Sequence, residues 1–380
     1  MGSPQDPVRS GLTAPGSMAD GPVDPPTNAP ASGARVRIAD VARDAGVSTA
    51  SVSLVLADRP GPSEATRARV LEVADRLGYR PDRAASALAR RSSRLLGLMI
   101  DVANPFHADL VEAIHRHAEA AGWDVVLSTV TAHRDEARAI STLVDFRCES
   151  LLLLGSLAGR DRLLELAEGR RVVVIGRPLS PAGIDVVRAD DELGARLVVD
   201  HLVATGHRDI AFVDGPRGAI STTRRRGYRA AMRAHRLGER IRVVAGGSTQ
   251  ADGAEAGRVL LSRSHDPEGG AATQGDPTRL DAVFAYNDRC AVGVVDAFAR
   301  AGLRVPEDVA VAGYDDSMLA RMQHLDLTSV SQEPDETARH AVDLAVAGPQ
   351  TEPRDEGVGR QIVVTPRLVV RSSTRGARSD

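Results

Sequence analysis

The chain has 380 residues, 42% of them hydrophobic and 3% aromatic, and a formal net charge of -3, which leaves room for two or three domains with substantial cores. The charge is uneven: from Arg35 to Arg94 twelve arginines face seven acidic residues, and a basic end on an acidic body is the balance of an anion-binding module joined to a soluble domain. The two cysteines, Cys148 and Cys290, lie far apart and outside any CxxC spacing, which argues against a disulfide framework or a zinc site, and no apolar run is long enough to cross a membrane.

Residues 1–34 are rich in Pro, Gly, Ser and Ala; they cannot offset their ordering entropy and are expected to form a disordered tail. Residues 35–81 read as an all-α helix-turn-helix head. Ile38, Val41, Ala42 and Ala45 recur at helical spacing, and Gly46 stands where a C-terminal glycine is expected. Ser48 can cap a second helix whose Val52, Val55 and Leu56 face back onto the first. Its other face carries Thr49, Ala50, Ser51 and Ser53, small enough to sit close to base edges in a major groove. Taken alone, the segment fits an ordinary helical hairpin as well. Ser63 and Glu64 open a third helix with Val70, Leu71, Ala74 and Leu77 as its stripe, and Gly78 ends it. Residues 82–94, with RAASALARR at 83–91, form a hinge segment too short to be a stable helix in water by itself; a flexible linker is the alternative.

From Leu95 the pattern changes to short apolar runs that predict strands at 95–100, 125–128, 151–154, 172–175, 210–213, 282–286 and 309–314. Helical stretches at 106–121, 191–205 and 288–301 lie between them. Such alternation predicts an α/β body over 95–374, with parallel sheets covered by helices on both faces and ligands bound beyond the strand C-terminal ends. Residues 264–278 read as a surface-loop insertion, 348–359 as a connector, and 375–380 as a short tail. Asp101, Asn287 and Asp315 fall at predicted strand ends, and Arg224 at the start of the helix containing RRGY. Carboxylates, an amide and a guanidinium converging in one cleft suit a small hydroxylated ligand. Asp315 as a helix cap and Asn287 as a turn residue are the plainer readings, and Asp316 reads as a helix-start residue.

The blocks IADVARDAGVSTASVS, TRARVLEVADRLGYRPD, LLGLMIDVANPF, LVATGHRDIAFVDGP, RRGYRAAM, AYNDRCAVG, GLRVPEDVAVAGYDD and LTSVSQ occur in that order. Over Val36 to Thr374 the chain resembles the lactose-repressor (LacI/GalR) family of bacterial transcription regulators. The resemblance implies a helix-turn-helix head, a hinge helix, and a two-lobed, Rossmann-like body of the periplasmic-binding-protein type. It implies a homodimer on a pseudo-palindromic double-stranded operator; the few residues after Thr374 are too short for a tetramerising coiled coil.

By that correspondence Thr49 and Ala50 begin the recognition helix, Ser53 lies one turn on, and Leu54 stands where the family usually has arginine. Leucine offers apolar contact, for instance with a thymine methyl, in place of a guanine contact; packing against the domain is its plainer role. Arg37 and Ser48 are candidates for phosphate contacts, with Arg43 and Arg80 weaker ones. In the hinge, Leu88 matches the leucine inserted into the minor groove and Ala85 the small residue beside it, while Asp82 replaces the usual asparagine. For the effector, Asp315, Asn287 and Arg224 are the leading ligands, Phe106 would stack on a sugar or base, and Asp101 and Asp190 are weaker candidates.

These observations predict a ligand-responsive, sequence-specific regulator, a repressor by expectation, cytoplasmic, with a sugar as effector and no cofactor or metal. A sugar-binding protein with a degenerate head is the competing reading, kept open by Leu54 and Asp82. An enzyme using Asp190/Asp191 or Asp315/Asp316 for acid–base work lacks a nucleophile elbow, an HExxH helix or a phosphate loop, and His107, His115 and His117 are not spaced as a metal pair.

Overall fold

The computed structural model describes residues 36–56, 58–79, 93–179, 183–264, 280–347 and 359–375. They belong to two units, a head within 1–83 and a body within 84–380. In the head, α1 (Ile38–Ala45), α2 (Thr49–Leu56) and α3 (Glu64–Arg76) surround a small core of Val41, Ala42, Ala45, Val52, Val55, Val70, Val73 and Ala74. Gly46 ends α1 at φ 64°, and its N–H and that of Val47 return to the last turn of the helix, a left-handed position that glycine adopts without strain. Ser48 Oγ accepts from Ser51 N at 3.1 Å to start α2, and Ser63 Oγ accepts from Thr66 N at 3.3 Å to start α3.

Among the described residues the body contains two six-stranded sheets. Lobe 1 holds β1 (Leu95–Asp101), β2 (Asp124–Val130), β3 (Ser150–Leu154), β4 (Arg171–Ile175), β5 (Asp185–Ala189) and β11 (Gln361–Val364), in the order β11-β5-β4-β3-β1-β2 and all parallel. The strand period of two divides its core: Leu96, Leu98, Leu152 and Leu154 meet α4 (Phe106–Ala120) and α11 (Pro334–Val346). Met99, Leu151 and Leu153 meet α5 (Glu136–Asp145) and α6 (Arg160–Ala167) on the other face.

Lobe 2 repeats the plan with β6 (Ile210–Val213), β7 (Arg242–Val244), β8 (Ala282–Ala285), β9 (Ala310–Asp315), β10 (Thr328–Ser331) and β12 (Arg367–Val369), in the order β12-β10-β9-β8-β6-β7. Phe212, Phe284 and Tyr314 face α7 (Asp191–Ala204) and α8 (Ala219–Ala234), while Val213, Val283 and Val311 face α9 (Gln250–Ser264) and α10 (Asp288–Arg300). Only β12, among the described strands, runs antiparallel to its neighbour, because it enters directly from lobe 1 without a crossover helix.

Among the described residues the chain passes between lobes three times: from β5 to α7, from β10 to α11, and from β11 to β12. The crossings are tied to one another by Asp190 N donating to Val364 O at 3.0 Å and by the Arg367–Glu333 ion pair at 2.6 Å. Three parallel tethers of this kind make a hinge about which two lobes can close or twist.

Candidate functional site

The helix–helix packing of lobe 2 builds the centre of the body's site. Gly227 on α8 lets that helix approach α7 so closely that a Cβ there would lie 2.4 Å from Glu192 O, while Gly194 on α7 leaves room for the Tyr314 ring. That approach brings Arg224, 3% exposed, onto Asp191 in the first turn of α7, with Nε donating to Asp191 Oδ1 at 2.8 Å. Arg224 Nη1 donates to Tyr286 O at 2.6 Å, and Nη2 stands 3.8 Å from Asp315 Oδ1. The guanidinium lies 3.5 Å from the Tyr314 ring centroid and 4.8 Å from that of Tyr286. Burial opposes its charge, but Asp191, the two tyrosines and Asp315 outweigh burial and keep it firmly protonated.

Asp315 ends β9 with φ at 106°, and its Oδ1 accepts from Gln332 Nε2 at 2.7 Å. Burial pushes its carboxyl above the usual carboxylate range, with Arg224 pulling the other way. Asp288, also buried, accepts from Ser317 N at 2.7 Å, Ser317 Oγ at 2.8 Å and Ser329 Oγ at 2.6 Å, fixing the segment that follows Asp315. Its carboxyl too is raised, by burial first and by the neighbouring Asp315 second. A charged fork between two carboxylates and two aromatic rings offers paired donors and acceptors to vicinal hydroxyls.

The structure brings Arg224 and Asp315 together and adds two residues that sequence reasoning had not placed among the effector ligands, Asp191 and Gln332. Asp190 is the N-cap of α7, its Oδ1 accepting from Leu193 N at 3.1 Å, whereas the next residue points inward to Arg224. Helical phase separates the two aspartates, and adjacent identical residues carried no signal of which was which. Asn287 caps α10, with Oδ1 accepting from Cys290 N at 2.9 Å and Nδ2 donating to Ser248 O at 3.2 Å. Asp101, at the end of β1, accepts from Ala103 N at 2.9 Å and stands beside His107, whose buried ring is pushed down to about 4 by burial. Phe106 is buried in the lobe 1 core with Leu98 and Leu110, so most of its ring packs inward. Asp316 starts no helix: it receives Arg371 Nη2 at 2.6 Å, and the segment after it is a series of turns. The helix-start reading of Asp316 is therefore corrected; an arginine pair, with no exposed helix end, satisfies its charge.

In the head, Ser48 just ahead of α2 and Thr49, Ala50, Ser53 and Leu54 on it are all exposed, whereas Val52 and Val55 are buried. Leu54, 36% exposed, therefore lies on the outer face. Arg37 is exposed ahead of α1, and Arg43 is paired with Asp40. Sequence reasoning passed over Arg67, which donates to Asp58 Oδ1 at 2.8 Å and Arg59 O at 2.9 Å and so clamps the turn that follows α2. Arg80, Asp82, Ala85 and Leu88 lie outside the described residues.

A periplasmic binding protein-like domain matches residues 199–374, and the family of bacterial regulatory proteins, lacI family, matches residues 37–82. The ribose operon repressor of Escherichia coli (strain K12) is 33% identical over 315 residues, 81% of this chain and 91% of the relative. The chain belongs to the LacI family. A solved transcriptional regulator CelR–cellobiose complex is 30% identical, with a TM-score of 0.61 over 89% of this chain and all of that one, 100%. The lac repressor dimer bound to operator and the anti-inducer ONPF is 25% identical, with a TM-score of 0.72 over 90% of this chain and 99% of that chain. As in its LacI-family relatives, a DNA-binding helix-turn-helix precedes a periplasmic-binding-protein-like effector body, and the chain is a transcriptional regulator that responds to a small molecule. Among the described residues no helix is long and apolar enough to cross a membrane.

Proposed function

We propose that this LacI-family regulator is a sugar-responsive repressor that binds a pseudo-palindromic operator as a homodimer. The observation that carries the ligand assignment is the buried Arg224–Asp191–Asp315–Gln332 constellation at the strand ends of lobe 2. Its fork and carboxylates match the alternating donors and acceptors of a polyol, and two relatives are named for ribose and cellobiose. Arg224 and Asp315 hold adjacent hydroxyls; Asn287 contributes the capacity its capping role leaves free; Asp101, Phe106 and Asp190 border the ligand from lobe 1 and the first crossing. The ligand is bound and released unchanged.

In the head, Thr49, Ala50, Ser53 and Leu54 read bases, while Arg37 and Ser48 hold phosphates. Ala85 and Leu88 supply the apolar wedge of the hinge. The decisive experiment titrates the full chain against labelled DNA from the regions flanking its gene at physiological salt, with scrambled competitor and a panel of pentoses, hexoses and disaccharides. Saturable binding that survives competitor and shifts with one sugar is expected. Binding abolished by competitor under every condition would sink the regulator reading for this head.

A further inference from the structure

The two lobes meet away from the crossings through Arg321, on the segment after β9, whose Nη2 donates to Asp109 on α4 of lobe 1 at 3.3 Å. The same nitrogen donates to Asp316 O at 2.7 Å, so the arginine is aimed across the cleft by its own segment. The start of that segment is firmly held. Asp315 and Asp316 both have positive φ, 106° and 48°, conformations that persist only where surrounding bonds over-determine them. Those bonds are present: Ser317 is bound to Asp288, Asp316 N to Ser329 Oγ at 2.9 Å, and the Asp316 carboxylate to Arg371. Six residues after the Asp315 carboxylate, the segment delivers a guanidinium to the opposite lobe. On the other side Asp109 is three-quarters buried, and burial raises its carboxyl while Arg321 opposes the rise.

We infer that Arg321 and Asp109 form a latch that sets the angle between the lobes, and that the 315–321 segment links this latch to the effector site. The pair is partly exposed, so it has the ordinary strength of such pairs and shifts a two-state balance by at most about five-fold. A contact made by Asp315 reaches the latch through this segment, whose first residues are anchored by the bonds above and whose Arg321 is tied back to Asp316 O. The link to Asp315 rests on the sugar-binding reading, whereas the latch itself can be measured without ligand, so either can fail alone.

The test is an interlobe distance measurement on the full chain. Spin labels are placed at Arg162→Cys on α6 and Arg258→Cys on α9, whose side chains are 51% and 65% exposed; both native cysteines are buried. Labelled chains are diluted with unlabelled ones so that only distances within one chain are read. Asp109→Asn and Arg321→Gln are expected to lengthen and broaden the distribution. The double variant should do so no more than either single, and Asp109→Glu should restore the narrow one. Arg300→Gln, which breaks the Asp296 pair within α10, should leave it unchanged and controls for charge loss alone. Thermal melts identify any variant that fails to fold, and Asp109→Asn and Arg321→Gln are independent enough for one to serve. Distributions that superimpose on the parent, or a double variant showing the sum of two separate shifts, would overturn the latch.

Discussion

At the scale of residues, Arg224 organises the body. A guanidinium 3% exposed must have its charge matched nearby, and Asp191, Tyr286 O and Asp315 do so. Removing one partner of a buried pair leaves the others uncompensated, which costs about 3–5 kcal/mol. Arg224→Gln is therefore expected to lower the unfolding midpoint markedly and to abolish sugar binding in calorimetry, while operator DNA is still bound at a temperature where the chain is folded. Asp315 has a pH signature. Because burial raises its carboxyl, the folded chain retains a proton that the unfolded chain has lost; its stabilising contribution is full below the unfolded value and declines as pH rises through the folded one. Sugar affinity runs the opposite way, since hydroxyls donate to the carboxylate. Affinity should rise with pH through the raised value and then level, and Asp315→Asn should give a weak, flat profile; a parent profile without slope counts against Asp315 as the acceptor.

At the scale of elements, α2 and the α7–α8 pair are the parts that sequence pattern and tertiary packing decide differently. The outer face of α2 was legible because 3.6-residue periodicity alone puts Thr49, Ser53 and Leu54 opposite Val52 and Val55. Leu54→Arg should move the preferred operator toward guanine at one symmetric position, worth about 1–3 kcal/mol of discrimination in a sequence-selection assay. An unchanged operator preference would mean that Leu54 does not face bases. The approach of α7 to α8 was not legible, since Gly227 stands inside the RRGYRAAM block but nothing along the chain marks which helix its bare face meets. Gly227→Ala would press a methyl into Glu192 O and is expected to cost about 1–3 kcal/mol of stability. Its sugar affinity should fall with it, because Arg224 loses its register on Asp191. Strands followed the same division. The apolar, buried runs of β3, β4 and β8 announced themselves by composition. By contrast β7, β11 and β12 are three- or four-residue strands at or next to sheet edges, and the polar β10 is buried by its neighbours, so hydrophobicity marked none of them.

For the whole molecule, the three crossings and the separately folded head make regulation an exchange of free energy between sites. If the sugar changes operator affinity by some factor, operator DNA must change sugar affinity by the same factor, with about 5–150-fold an ordinary range. Titrating sugar into the chain alone and into its operator complex should give that same ratio as titrating operator with and without sugar. Unequal ratios would show that more than two linked states, or a change of assembly, are in play.

Pattern along the chain was enough for the head, for the alternating α/β body and for membership of the LacI family, because each depends on local periodicity, capping and motif order. The strand-end positions of Asp101, Asn287 and Asp315 followed from the same logic. Which of Asp190 and Asp191 meets Arg224, that Asn287 spends part of its amide on a cap, that Phe106 packs inward and that Arg321 reaches Asp109 were decided only by the packed fold. The Asp191–Arg224 and Arg321–Asp109 contacts join residues 33 and 212 positions apart, and their geometry depends on helix phase and inter-lobe angle. Neither quantity is written in the residues of any one segment; both are set when two sheets and their covering helices close on a common core.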